Sequence, residues 1–320
     1  MKLVRRLLIA AILMPGAVLA QVFPDKPVKI IVPFTAGGLV DVLARGVGER
    51  LSAGWGQPVV VENRPGANTI IAAEATARSP ANGYTILMAN DPTLSVNQYL
   101  YGKLPYDPVK DLVPVVNIAA TAGILLVRPS LAGSVKELIE LARSRPGQMT
   151  YGSYGVGSKA HLDAEEFARL AGVKFNHIPY KGVAEILVAV AAGQVDMVFS
   201  GIPPAVQLVN SGKLRALAVS APARSTVLPT VPTFAEAGVP GYESKSWMGL
   251  VVPNGTPQPV IDKIAQDVQR IIVRPDFQEK YITGVGLELV NQNPTQFAEF
   301  LKGDRSAYAK QVKAIGAKLD

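Results

Sequence analysis

Short apolar runs alternate along this chain with stretches in which apolar residues recur every third or fourth position. The runs predict strands near residues 28–32, 59–61, 85–89, 117–128, 148–152, 175–178, 197–200, 214–220 and 247–252. Helical spacing places Val40, Leu43, Ala44, Val47 and Leu51 on one face, with Glu49 and Arg50 off it. A second stripe, Ala160, Ala164, Phe167 and Ala171, stops at Gly172. Residues 183–192 are apolar nearly all round and read as a buried helix, residues 71–77 as a short one. Pro257 and Pro294 suit the first turns of two more, over 257–273 and 295–319. Such alternation predicts an α/β chain with mostly parallel sheets.

Residues 1–20 change the picture of where the chain works. A basic start (Lys2, Arg5, Arg6), an apolar run over 7–13 and the small-residue end Val18-Leu19-Ala20 read as a cleaved export signal. The run is shorter than the ~20 residues of a membrane span. The expectation is a soluble periplasmic protein beginning at Gln21; an uncleaved N-terminal anchor is the alternative. With no cysteine, disulfides, thiolate nucleophiles, Cys-ligated zinc and a lipidated cysteine are all excluded. The signal's three basic residues take the net charge of +7 to +4 (7 − 3), and the remaining basics are scattered. No basic and aromatic residues interleave, so the charge gives no support for nucleic acid.

The candidate chemistry lies in turns between strands and helices. After the first strand, Phe34, Thr35, Ala36, Gly37 and Gly38 lead into a helix with Asp41 in its first turn. The first N–H groups of a helix lack internal partners and carry partial positive charge, so this turn can hold an anion without a lysine or arginine. Asp41 most simply serves the helix N-terminus. Asn63-Arg64-Pro65-Gly66-Ala67-Asn68-Thr69 offers amides from a second turn, where Arg64 either fixes loop carbonyls or pairs with a ligand, the former favoured. Asn90-Asp91-Pro92-Thr93 is a turn at the end of the third strand.

A further glycine turn, Tyr151-Gly152-Ser153-Tyr154-Gly155-Val156-Gly157-Ser158-Lys159-Ala160-His161, invites two misreadings. It matches the dinucleotide fingerprint loosely, but no acid follows at the ribose position; it resembles a phosphate loop, but reads Gly-Ser-Lys where Gly-Lys-Ser/Thr is required. What survives is a neutral anion nest with Ser153 and Ser158 as donors, or a helix cap and tight turn. Ser158 and His161 lack the Gly-x-Ser-x-Gly elbow of a serine hydrolase, and His177 is the only other histidine. A transition-metal site is likewise disfavoured.

The chain resembles a known family through a series of stretches in order. They are Val32-Pro33-Phe34 through Gly37-Gly38 to Asp41, Val61-Glu62-Asn63-Arg64-Pro65-Gly66-Ala67, Asn82-Gly83-Tyr84-Thr85, and Leu104-Pro105-Tyr106-Asp107-Pro108. Tyr151-Gly152-Ser153 with Gly155, Gly157-Ser158 and His161-Leu162 follows, then Pro179-Tyr180-Lys181-Gly182, Gly193-Gln194-Val195-Asp196 and residues 212–219. On these it closely resembles the Bug receptors, also called the TctC family of tripartite tricarboxylate transporter substrate-binding proteins.

The resemblance implies an α/β, two-lobed periplasmic binding protein fold, type II-like, with two hinge crossings and a ligand cleft between lobes. Residues 21–120 plus 246–320 are expected in the first lobe, and 121–245 in the second. It implies a receptor rather than an enzyme, with no cofactor, no metal and no catalytic residue. The receptor would be a monomer that takes a small mono-, di- or tricarboxylate, aromatic acids included, and delivers it to membrane permease subunits. A periplasmic ligand-sensing partner of a signalling protein is the alternative. Carried over residue by residue, the ligand would meet Phe34, Thr35, Ala36, Gly37, Gly38, Ala67, Asn68, Asn90, Ser153, Val156, Gly157, Ser158, His161, Tyr180 and Ser200. Three departures stand out: Val40 where many relatives have a hydroxyl residue, Asn68-Thr69 where Gly-Gly is common, and Ser200 where relatives often have the aspartate that recognises an amino group.

Overall fold

The computed structural model describes residues 23–242, 244–316, 318 and 319; the expected export signal lies outside them. Among the described residues ten strands form: β1 (Val28–Val32), β2 (Val59–Asn63), β3 (Thr85–Asn90), β4 (Leu112–Val127), β5 (Thr150–Ser153), β6 (Asn176–Pro179), β7 (Met197–Gly201), β8 (Arg215–Val219), β9 (Lys245–Pro253) and β10 (Glu288–Gln292). The helices are α1 (Leu39–Trp55), α2 (Ile70–Ala77), α3 (Asn97–Leu100), α4 (Val135–Ser144), α5 (Lys159–Ala171), α6 (Val183–Ala191), α7 (Ile202–Asn210), α8 (Gln258–Ile272), α9 (Pro275–Tyr281) and α10 (Pro294–Ile315). A π-helical turn, Pro92–Val96, runs into α3. Among the described residues no helix is long and apolar enough to cross a membrane.

The sheet is mixed rather than mostly parallel. Pairs β1–β2, β1–β3, β5–β6 and β5–β7 are parallel, whereas every pair involving β4 or β9 is antiparallel. Of these two strands only β4 is shared between the halves, while β9 pairs with β3 and β4. Residues 112–122 of β4 pair with β9, and residues 123–127 pair with β7. The strand begins earlier than its apolar pattern suggests because Pro114 sits at a register shift, where the ladder loses no needed donor.

Separate cores flank this shared strand. Ile30, Leu43, Val47, Ile264 and Val268 cluster with Val115, Val116 and Ile118 of its first part, and Phe167, Phe199, Phe234 and Tyr242 with Leu125 and Val127 of its last. Gly123 marks the change of partners, its N–H directed at Ser220 Oγ (2.6 Å) and Ser244 O (3.1 Å). A small cluster, Val96, Leu100, Leu162, Tyr308 and Val312, joins the two halves. Through it the end of α10 reaches α5, where Gln311 Nε2 donates to Leu162 O at 3.1 Å.

Candidate functional site

Parallel register sets Val32 opposite Asn63, so the turns after β1 and β2 leave the sheet side by side. Asn63 Nδ2 donates to Phe34 O (2.9 Å) and to Asp41 Oδ1 (2.8 Å), tying those turns together. Asp41 is buried and also accepts from Arg45 Nε at 2.9 Å and from the Gly37 amide at 2.8 Å. Burial alone would raise its carboxyl, but the bonds from Arg45, Gly37 and Asn63 outweigh it and hold the group below its usual range. Asp41 therefore serves the helix start, as expected. The Gly37 amide is a correction: it is turned onto Asp41 rather than left for a ligand. Thr35, Ala36 and Gly38 are exposed, and Phe34 packs half-buried with Leu39 and Val40 against the core. The first amides of α1, past Gly38, remain as anion donors.

The second turn has an unusual backbone. Ala67, Asn68 and Thr69 have φ of 45°, 47° and 77°, three successive non-glycine residues in the left-handed region. The amides of Thr69 and Ile70 close the turn onto Gly66 O and Ala67 O. Those of Ala67 and Asn68 have no such partner among the described residues. The Asn68 carboxamide, expected at the ligand, instead donates to Asn97 Oδ1 (2.8 Å), while Asn97 Nδ2 donates to Asn68 O (2.7 Å). Arg64 pairs with Glu62 and so does neither job weighed for it.

After β3, Asn90 is buried and its Oδ1 accepts from Thr93 Oγ1 at 2.8 Å. Asp91 beside it is fully buried. One of its oxygens accepts from Ser246 Oγ (2.7 Å) and Trp247 N (3.0 Å), and the other has no partner. Burial pushes its pKa up to about 7, with the Lys159 charge opposing and that of Asp304 adding to the rise.

In the second half, β5 ends at Ser153, whose buried Oγ lies 2.6 Å from His177 Nε2 and accepts from the Gly155 amide at 3.1 Å. Its side chain is thus spent locally rather than offered to a ligand. Ser158 caps α5, its Oγ accepting from His161 N at 3.4 Å, which realises the helix-cap reading. His161 Nδ1 accepts from Gly157 N at 3.3 Å. Burial, with the neighbouring His177, pushes the His161 pKa down to about 4, so the ring is neutral and carries its proton on Nε2. The rings of His161 and His177 lie 4.7 Å apart, and His177 stacks on Tyr151 at 5.0 Å. Tyr180 is anchored by its amide on Ser153 O (2.8 Å), Val156 is exposed, and Ser200 Oγ donates to Gly201 O (3.0 Å). Ser158 and His161 do not form a nucleophile and base. The hydroxyl–imidazole pair that exists, Ser153 with His177, is closed to solvent at the serine.

The structure thus gathers the expected residues into two rims. Phe34 to Gly38, Ala67, Asn68 and Asn90 form one; Ser153, Val156 to Ser158, His161, Tyr180 and Ser200 lie at the strand ends and helix start of the other. They meet where Gly157, at φ 75°, faces Leu100: a Cβ there would lie 2.1 Å from a Leu100 methyl and force that side chain to shift. Beside this contact Lys159 Nζ bonds Asp163 Oδ1 (2.5 Å) and Ser244 Oγ, and Ser244 Oγ donates to Asp163 (2.7 Å). Sequence reasoning placed Asn63 and Thr93 in turns without a role and missed Asn97 and this charged knot, although the four-residue spacings Asp41–Arg45 and Lys159–Asp163 are legible helix pairs. Two surface hollows, of about 640 Å³ on α10 and about 510 Å³ beside α3, lie away from both rims.

Residues 43–317 match the model of the family described as tripartite tricarboxylate transporter family receptor. Protein BugT of Bordetella pertussis is 35% identical over 302 residues, 94% of this chain and 92% of its own. Among solved structures, R. palustris Rpa4515 with adipate is similar at a TM-score of 0.87 and 36% identity, over 93% of this chain and 100% of that one. MatC from Rhodopseudomonas palustris with bound malate is similar at 0.83 and 30%, over 91% and 100%.

Proposed function

We propose that this chain, which belongs to the tripartite tricarboxylate transporter receptor family of two-lobed periplasmic binding proteins, captures a small organic carboxylate in the periplasm and passes it to a membrane permease. The lobes would divide at 120/121 and 245/246, with β4 and the entry to β9 as hinges. Ligand would enter between the rims.

The observation that carries this reading is that the aspartates nearest the rims are either engaged by neighbours or buried. Asp41 is held by Arg45, Gly37 and Asn63, Asp91 is buried, and Asp163 is held by Lys159 and Ser244. A ligand ammonium would find these three carboxylates engaged or buried, whereas a ligand carboxylate would find the amides of Ala67, Asn68 and the α1 start, and the neutral His161. Backbone donors of this kind suit an anion without an ion pair. That the neighbours hold adipate and malate favours a di-acid with a short apolar or hydroxylated middle. Micromolar affinity needs about −8 kcal/mol, within reach of several charge-assisted hydrogen bonds.

Native mass spectrometry of protein purified without denaturation should show a bound small acid, and calorimetry on ligand-free protein should show binding of adipate or malate. Silence across a broad carboxylate panel, with amino acids binding instead, would overturn the reading.

A further inference from the structure

We propose that Asn97 and Thr93 are positioning residues that hold the second turn in its left-handed form, so that Asn68 presents its backbone amide to the ligand carboxylate. The inference rests on the receptor reading for its ligand, but not for its geometry. Three successive non-glycine residues at φ 45°, 47° and 77° hold a conformation that L-residues disfavour, so something outside the turn must maintain it. The turn's own bonds, Thr69 N to Gly66 O and Ile70 N to Ala67 O, close a short loop and give no such leverage.

The leverage comes from the π-helical turn and α3 beneath. Asn97 is buried and its carboxamide both accepts from Asn68 Nδ2 and donates to Asn68 O, a two-bond ring that fixes side chain and carbonyl together. Thr93, also buried, bonds the hydroxyl of Thr69 at 3.0 Å and Asn90 Oδ1 at 2.8 Å, so a neighbouring rim residue is fixed by the same group. Tyr106 OH in turn donates to Thr93 O at 2.6 Å and steadies the π-helical turn. With its side chain bound backwards to Asn97, Asn68 has only its main-chain N–H to turn toward the cleft. The bulk that departs from glycine at this position is therefore a strut, directed away from the ligand.

The test is a double-mutant cycle between Asn97→Ala and Asn68→Gly, read by calorimetry with adipate and malate and by hydrogen exchange at the Thr69 and Ile70 amides. Asn97→Ala should weaken carboxylate binding by about tenfold, the loss expected when one left-handed non-glycine residue is no longer held. It should also raise exchange at those two amides by a similar factor. In the Asn68→Gly background, where the left-handed form is freely available, the same step should cost no more than about threefold. Equal losses in both backgrounds would overturn the proposal, as would an Asn97→Ala protein with unchanged affinity and exchange. If the unaltered protein binds neither acid, the receptor reading for that ligand class fails, and the exchange cycle alone decides for or against the strut.

Discussion

Replacing Asp91 by asparagine should make the protein more stable at alkaline pH and much less so in mild acid. The side chain is fully buried, one of its oxygens has no partner, and its pKa is pushed from 3.8 to about 7, by burial above all. Between those values the native state holds a proton that the unfolded chain has released. The contribution of this group is therefore fully present below pH 3.8 and is lost as the pH rises through about 7. At ~1.4 kcal/mol per pH unit, the ionised form costs the fold about 4 kcal/mol at pH 8. Asparagine keeps an oxygen for Ser246 Oγ and Trp247 N and removes the charge. Urea unfolding of both proteins from pH 5 to pH 8 should show the variant ahead by about 2–4 kcal/mol at pH 8 and by less than half of that at pH 5. An equal difference at both pH values, or a variant less stable at pH 8, would refute the reasoning. Lys159 would then be neutralising an ionised Asp91 well enough to make its burial harmless.

His161→Gln should act with the opposite sign. Because burial holds the imidazole near 4, stability from this group rises with pH between about 4 and 6.5; the wild-type advantage should grow by about 2–3 kcal/mol over that window, read by the same unfolding series. Lys159→Met leaves Asp163, 5% exposed, without its cation and should cost about 3 kcal/mol; a loss under about 1 kcal/mol would show the pair to be solvent-relaxed. Ser158→Ala removes a helix cap worth about 1 kcal/mol of stability. Its Oγ accepts one bond at 3.4 Å and keeps its own proton for a ligand, so affinity for a bound carboxylate should also fall by about 1.5–3 kcal/mol. Unchanged affinity in calorimetry would remove Ser158 from the site.

Where the sequence reads correctly, a local signal agrees with the tertiary structure. The strand ends, the α1 stripe, the Gly172 stop and the cap at Ser158 all follow from period, glycine and hydroxyl placement. α4 was legible too, since Ser134 and Glu137 have capping spacing, Ser134 Oγ accepts from Glu137 N, and Val135, Leu138 and Ala142 form a buried stripe at helical spacing. β10 carries no usable pattern: it is half-buried, its register shifts, and Asn291 stands at φ 52°. The mostly parallel expectation failed because β4 and β9 look like any other apolar runs; only their pairing reveals that they run antiparallel to every neighbour. At the site, backbone geometry was readable and side-chain direction was not. Nothing local tells Asn68 to bond a residue 29 positions on, or Gly37 to turn its amide onto Asp41.

The same limit explains why the chemically prominent groups are not the ones offered to ligand. Asn90 precedes Asp91, and Ser158 precedes Lys159, so each rim carries a donor next to a charge buried where the halves meet. Lys159 and Asp163 both belong to α5, yet they bond Ser244, which leads into β9, and Tyr242 OH donates to Asp163 O at 3.2 Å. The start of α5 is therefore fastened to the crossing segment as well as to its own sheet. A buried ion pair adds little net stability but penalises displacement heavily, because either partner left alone is an unpaired charge. Fastened in this way, the turn over Gly157 to His161 is tied to the segment that enters β9. If the proposed hinge lies in this segment, the gap between rims would follow one coordinate rather than independent loops, as the proposed recognition of a di-acid by two anion-holding ends requires.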